Sequence, residues 1–267
     1  MNIFSYFHRH ICIYINIFIS YYSHIFLASY SNWFLVTGLH RNINTWRTGF
    51  IVSIITIATT KGGAGKTTLA RLILSRSALA GYKVAAIDSD ANHTLTDWVN
   101  TVAKQPITVR HEIDETKIVP LVGELEENHD IVLIDTAGAA SQATIFAIGC
   151  ADLILVPISP SAADIVEAIK TVNLIRSAGQ MLRRELAVKV VLTAVKPGTN
   201  IAEHVEKEVA KAKMPVFPTR LHQLVAFQEM SFTGIPPTTG LAGIQATNFL
   251  DELEALGALP ETKKPAL

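Results

Sequence analysis

The chain has 267 residues, 49% of them hydrophobic and 17% charged, with 23 basic and 23 acidic side chains. That is enough for one large globular domain with its own core, and zero net charge gives no sign of a nucleic-acid partner beyond what a local basic patch could supply. The only cysteines, Cys12 and Cys150, offer neither a disulfide framework nor zinc spacing, so the expected compartment is a reducing cytoplasm.

Residues 1–50 differ from the rest. They hold 13 of the 20 aromatic residues, no acidic residue, and only Arg9, Arg41 and Arg47 as basic ones. Residues 51–267 therefore carry 20 basic and 23 acidic groups. From Ile11 to Val36 no charge occurs, a stretch long enough to span a bilayer. Its polar residues make it a poor spanning helix, and no signal-peptide cleavage site is evident. Ile, Asn, Phe and Tyr share AT-rich codons. The expectation is a start placed too far upstream, or a disordered extension, with Val52 as the true first residue; a membrane anchor is the alternative.

From Ile51 the pattern is regular. "IVSIITIA" is a β-branched apolar run that reads as a buried strand. Glycines follow, then "KTTLARLILSRSALA" at helical spacing. "KVAAID" reads as a strand, "TLTDWVNTVA" as a helix, and "DIVLID" and "ADLILVPI" as further strands. "DIVEAIKTVNLIRSAG" reads as an amphipathic helix capped by Gly179. "LAVKVVLTAV" is the next strand, "NIAEHVEKEVAKA" a charged helix, "MPVFPT" a short edge strand, and "TNFLDELEALG" the last helix. Alternating strands and helices predict an α/β fold, a mostly parallel sheet with helices on both faces. The expected domain spans 51–257, with a flexible tail over 258–267.

The segment K-G-G-A-G-K-T-T joins the first strand to the first helix. Gly62, Gly63 and Gly65, with Ala64 between, let the backbone turn tightly and point N–H groups inward, toward the positive end of the helix that follows. Lys66 then meets the outer phosphates of a nucleotide, the Thr67 hydroxyl can ligate Mg2+, and Thr68 completes the cradle. The ordinary P-loop has a glycine where this chain has Thr60, and a second lysine, Lys61, opens the segment instead.

Two carboxylate sites accompany the loop. "VLIDTAG" ends a strand with Asp135, placed to hold an Mg2+ shell through water. "AAIDSDAN" ends another with Asp88 and Asp90, at the carboxyl edge where such folds bind ligands. One of them can orient an attacking water, Asp90 being the favoured candidate and Asp88 a candidate near the metal. Either can instead cap the helix beginning near Thr94. Trp98 reads as packing, and His93, His111, His129, His204 and His222 show no ligand spacing.

K-G-G-A-G-K-T-T, then D-S-D-A-N, then the strand ending D-T-A-G resemble the deviant Walker-A ATPases of the ParA/MinD group. The match runs from about Ile51 to Leu256. "DSDANHTLTDW" and "VPISPSAADIVEA" are similar to the small ParA-type partition proteins and to the VirC-type proteins of T-DNA transfer. The resemblance implies a P-loop NTPase fold and slow ATP hydrolysis with Mg2+. It makes Lys61 the signature lysine that reaches the partner's phosphates in an ATP-bound homodimer, Lys66 the P-loop lysine, Asp90 the catalytic aspartate and Asp135 the Walker-B aspartate. It places Ser159 to Asp164 near the nucleotide and the dimer face. It also implies non-specific DNA binding, a ParB-type partner and a nucleoid-associated cytoplasmic protein. Two departures stand out: Thr193-Ala194 where many relatives have Asn-Arg or Thr-Arg near the base, and Leu224 where close relatives often have arginine.

A MinD-like membrane cycle needs a basic amphipathic C-terminal helix. Here Asp251, Glu252 and Glu254 occupy it and only Lys263 and Lys264 follow, so no stable membrane association is expected. A relative of the nitrogenase iron protein needs cluster cysteines, and Cys150 reads as a small buried hydrophobe. Lys61 speaks against a metabolic ligase of the same superfamily. A nucleotide-gated scaffold of VirC type remains the alternative to a partition ATPase.

Overall fold

The computed structural model describes residues 52–138 and 141–260. The reading of residues 1–50 lies outside the described residues, as do residues 261–267. Six strands form one sheet: β1 (Ser53–Ile57), β2 (Val84–Ser89), β3 (Ile107–His111), β4 (Ile131–Thr136), β5 (Leu153–Ile158) and β6 (Val188–Leu192). Their order is β3-β2-β4-β1-β5-β6 and every pairing is parallel. The helices among the described residues are α1 (Lys66–Leu79), α2 (Thr94–Thr101), α3 (Glu115–Glu126), α4 (Gln142–Cys150), α5 (Ala162–Leu182), α6 (Asn200–Lys211), α7 (Val225–Thr233) and α8 (Gly240–Ala255).

Strand side chains alternate between two cores, as a pleated sheet covered on both faces requires. Ile55 and Ile57 of β1 join Leu133 of β4 in the core beneath α1, α2, α7 and α8. Ile54 and Val132 point the other way, onto α3. β5 and β6 pack their second face against α5 and α6. β1 lies centrally, between β4 and β5, so the loop leaving its carboxyl end emerges mid-sheet, where open α/β folds bind ligands.

The expected elements form except for one strand, and several are added or redrawn. β3 is an edge strand, only partly buried, so its apolar signal is diluted. α3 contains Pro120 and Gly123, which weaken any helical reading. α4 is apolar almost throughout and α7 is short. Gly179 is not the cap of α5: the helix continues to Leu182, and Arg183 takes the left-handed conformation at φ 53°. Gly179 is instead a close-approach residue, since a Cβ there would lie 2.9 Å from the Arg184 carbonyl oxygen. "MPVFPT" is not a strand. It makes a single bridge, Val216 to Val190, because Pro215 and Pro218 lack the N–H groups a longer ladder needs. The packed chain also runs past 257: Ala258 and Leu259 are buried, Ser53 Oγ donates to the Ala258 carbonyl at 2.5 Å, and Tyr82 Oη donates to that of Pro260 at 2.7 Å.

α2 and α7 are locked together. Trp98 is buried, as its packing role required, and its Nε1 donates to the Met230 carbonyl at 3.2 Å. Gly234 caps α7 at φ 68°, and a Cβ there would lie 2.0 Å from the Val102 carbonyl oxygen. Left-handed backbone and backbone collision act in the same direction. Gly234→Ala should lower unfolding stability by at least about 3 kcal/mol in urea titration.

Candidate functional site

The loop from Ala58 to Gly65 is held at several points. Its start is tied to β5, with Ala58 N–H donating to Leu155 O at 3.0 Å. Thr60, standing where the ordinary motif has glycine, uses its hydroxyl to dock α5: Oγ1 donates to Glu167 Oε2 at 2.7 Å, and its N–H donates to Thr171 Oγ1 at 3.2 Å. Gly63 and Gly65 have φ of 79° and 91°, the left-handed conformations that bend the loop back over the N-terminus of α1. Just past β6, Thr193 Oγ1 donates to the Ala64 carbonyl at 3.3 Å.

Lys66 opens α1. Its Nζ makes one long contact, 3.5 Å, to the Lys61 carbonyl. Burial pushes this ammonium down from its ordinary value, against the opposing pull of Asp135 and Asp90. Thr67 Oγ1 donates to Asp135 Oδ2 at 2.8 Å. The expected trio of Lys66, Thr67 and Asp135 therefore meets at one place. Asp135 is buried, and its Oδ1 has no hydrogen-bond partner among the described residues. Burial raises this carboxyl to about 7, resisted by the Thr67 hydroxyl. An orphaned carboxylate oxygen beside a threonine hydroxyl is a donor set of the kind an Mg2+ shell occupies. The residues fit such an ion, which Asp135 and Thr67 would hold.

The two aspartates after β2 are used differently. Asp88 Oδ2 accepts from Leu95 N, Thr96 N and Thr96 Oγ1 at 3.0, 2.9 and 3.0 Å, and its Oδ1 accepts from Asp90 N at 3.2 Å. It caps α2, the role weighed against a metal function, and its oxygens are committed. Asp90 lies beyond it in the turn, half-buried, with Oδ1 accepting from both nitrogens of Asn92 at 2.9 and 2.8 Å.

Lys61 points to α5, where its Nζ forms an ion pair with Asp164 in the helix's first turn. Asp164 is buried, and its N–H donates to Ser161 Oγ at 3.1 Å. The segment Ser159 to Asp164 thus meets the loop through Asp164.

Some contacts of the site were not foreseen, although several of the residues had been quoted. Gly138, just after Asp135, lies so close to the loop that a Cβ would be 2.8 Å from both Gly62 Cα and N. On the far side of Gly63–Gly65 a cleft of roughly 310 Å3 opens between the end of β6, α1 and α7, with Thr193, Ala194, Leu224 and Phe227 in its walls. The two departures from the family pattern therefore both line this cleft. Isolated residues at the ends of three elements carry no periodic signal that could have revealed it.

Asp135 supplies a pH test. Its folded pKa lies above the unfolded value, so its contribution favours the folded state at low pH and is lost as pH rises from about 4 through about 7. The ligand-free protein should show a falling Tm across that window from this group, and Asp135→Asn should flatten that part of the dependence in a calorimetric series. Gly138→Ala should displace the loop and weaken nucleotide affinity at least about tenfold while leaving the far-UV circular dichroism unchanged.

The family model described as VirC1 protein matches residues 52–244. Protein ParA of Rhizobium radiobacter is 32% identical over 152 residues, which cover 57% of this chain and 68% of that protein. Protein virC1 of the same organism is 29% identical over 192 residues, 69% and 82% of the two chains. Among solved structures, an ATP complex of a Cyanothece McdA variant superposes with a TM-score of 0.66 at 18% identity, covering 78% of this chain and 98% of the other. The MinD cell division protein of Aquifex aeolicus gives 0.63 at 21%, covering 76% and 97%. These two likenesses concern the fold. With the family model matched across most of its length, the chain belongs to the VirC1 family, within the ParA/MinD group of P-loop proteins.

Proposed function

We propose that this protein is an ATPase of partition type, which binds ATP with Mg2+, dimerises across its nucleotides, binds DNA without sequence preference and is switched off by slow hydrolysis. The observation that carries this reading is the convergence of Lys66, Thr67 and Asp135 at the carboxyl edge of the sheet, with one Asp135 oxygen orphaned. The ParA relative supports the partition role, and the ATP complex of McdA supports the ligand.

In the proposed reaction, the N–H groups of Gly62 to Thr68 cradle the phosphates, and Lys66 sets a cation against the outer ones. Bound Mg2+ would neutralise further phosphate charge beside Thr67 and Asp135. Asp90 orients a water for in-line attack on the γ-phosphorus. A bond forms from the water oxygen to phosphorus, the bond to the bridging oxygen breaks, and ADP leaves. Positioning and charge compensation do most of this, so a site lacking its final donor turns over slowly.

That final donor is Lys61 of a second copy. Within one chain Lys61 is engaged by Asp164, so dimerisation exchanges an internal ion pair for one with the partner's phosphates. Loss of the γ-phosphate removes the reason for the exchange, and the dimer loosens. For DNA, Arg176 and Arg183 on and after α5 and Lys207 and Lys213 on and after α6 are exposed, and they form the proposed patch. Arg184 contributes less, since its Nη2 donates to the Gly149 and Ala151 carbonyls at 2.6 and 3.2 Å. Lys211 is paired with Glu208, and Lys189 is half-buried. Among the described residues no helix is long and apolar enough to cross a membrane. By resemblance, a ParB-type protein would be the regulator. The VirC1 match favours a second reading, a nucleotide-gated scaffold that recruits a DNA-transfer complex.

Lys66→Ala should abolish ATP binding in a fluorescent-nucleotide titration. Asp90→Ala should still bind ATP, yet hydrolyse it at least about a hundredfold more slowly, and light scattering should find it as a trapped dimer. A dimer-free Asp90→Ala protein in saturating ATP would remove the role given to Lys61. DNA retardation by the trapped dimer should weaken steeply between low and moderate salt. An ATP-bound dimer that ignores DNA even at low salt would replace the partition reading with the recruiting scaffold.

A further inference from the structure

The Asp90 turn is clamped by a pair of histidines. His111 is the last residue of β3, level with Asp88 across the sheet. Its Nε2 lies 3.1 Å from the Asp90 carbonyl oxygen. A carbonyl oxygen only accepts, so Nε2 carries the proton and donates. The same carbonyl accepts the His93 N–H, also at 3.1 Å. The His93 ring then stacks on the His111 ring, centroids 3.6 Å apart and planes 28° from parallel. His93 stands at φ 54°, in the left-handed region that few residues other than glycine enter and that histidine tolerates better than most.

We propose that His111 is a positioning residue for ATP hydrolysis, holding the Asp90 backbone by its Nε2–H while the stacked His93 ring fixes the imidazole's orientation. This rests on the role given to Asp90 above. The Asp90 carboxylate is already bent back by the Asn92 nitrogens, so its direction depends on where its own backbone is pinned. On one side the pin is Asp88, through the Asp90 N–H; on the other it is His111, through the Asp90 carbonyl. Asp88 is rigid because α2 sits on it. His111 comes from an edge strand, and without its donor the Asp90 carbonyl keeps only the His93 N–H, a bond within the turn itself, so nothing outside the turn holds that end. A water-orienting group displaced by a fraction of an ångström loses rate, not nucleotide affinity, because the phosphates are held by the loop after β1.

Two variants of the full chain separate donor from ring. His111→Phe keeps an aromatic ring for His93 and loses the N–H; His111→Gln keeps an amide N–H that reaches the Nε2 position and loses the ring. The readouts are the equilibrium Kd for ATP and the single-turnover hydrolysis rate at saturating Mg2+–ATP. His111→Phe should hydrolyse about tenfold or more slowly with Kd within about twofold, whereas His111→Gln should stay within about threefold of the parent rate. A His111→Phe protein hydrolysing at the parent rate, or one losing Kd and rate together, would overturn the proposal. So would a His111→Gln protein as slow as His111→Phe, since the donor would then not be what matters. Asp90→Ala is run alongside: full activity there sinks the catalytic reading of Asp90 itself, whatever the histidine variants do.

Discussion

Asp88 and Asp135 stand opposite each other in register across β2 and β4, both withdrawn from water. Two adjacent buried carboxylates are tolerable only where dipoles and cations compensate them. The protein compensates them unequally. Asp88 accepts the first N–H groups of α2, so its charge is spent on holding a helix end to the sheet. Asp135 receives one threonine hydroxyl and the nearby Lys66 ammonium, and keeps an oxygen without a partner. The first arrangement is architecture. The second leaves an electrostatic deficit that a dication and a polyphosphate would fill, which favours Asp135 over its neighbour in the site proposed above.

The loop over that deficit is suspended between two supports. Thr60 and Lys61 attach its first half to α5, and Gly138 presses against its middle from the end of β4. Lys61 is attached in a way that permits release. Asp164 sits in the first turn of α5, where the helix dipole and exposed N–H groups favour a negative charge even without a lysine. Departure of Lys61 therefore does not strand a buried carboxylate in apolar surroundings. The same residue can serve the closed monomer and, in the reading proposed above, the partner's nucleotide.

Most of the sheet could be read from the chain because β1, β2, β4 and β5 are central strands with unbroken apolar runs, and the glycine-rich turn after β1 has a strict spacing. Lys66, Thr67 and Asp135 were legible for the same reason: each sits at a fixed offset from a strand end. The edge strand β3 was not, since one side of it meets solvent and its residues alternate weakly. α3 was hidden by Pro120 and Gly123. Asp90 was favoured over Asp88 for orienting water, but spacing alone allows either to cap α2; the direction of the α2 N–H groups gives the cap to Asp88. The cleft beside Gly65 and the contact of Gly138 with Gly62 depend on how distant segments approach, which no local pattern records.

The unpredicted elements also limit how the site can change. α7 forms a wall of the cleft through Phe227, and its C-terminal half is bound to α2 twice, by the Trp98–Met230 hydrogen bond and by the seating of Gly234 on Val102. α2 in turn begins at the cap on Asp88 and carries the Asp90 turn at its N-terminus. Arg71 strengthens the joint, with its guanidinium over the Trp98 ring at 5.4 Å and a hydrogen bond to the Thr94 carbonyl at 3.3 Å. Cleft wall and Asp90 turn thus belong to one packed block. A side chain that reshapes the cleft by moving α7 must shift α2 as well, and with it the carboxylate placed to orient water. Substitution at positions such as Thr193 and Ala194, in the loop after β6, is free of that coupling, whereas Leu224, the other departure beside the cleft, opens α7 and is subject to it.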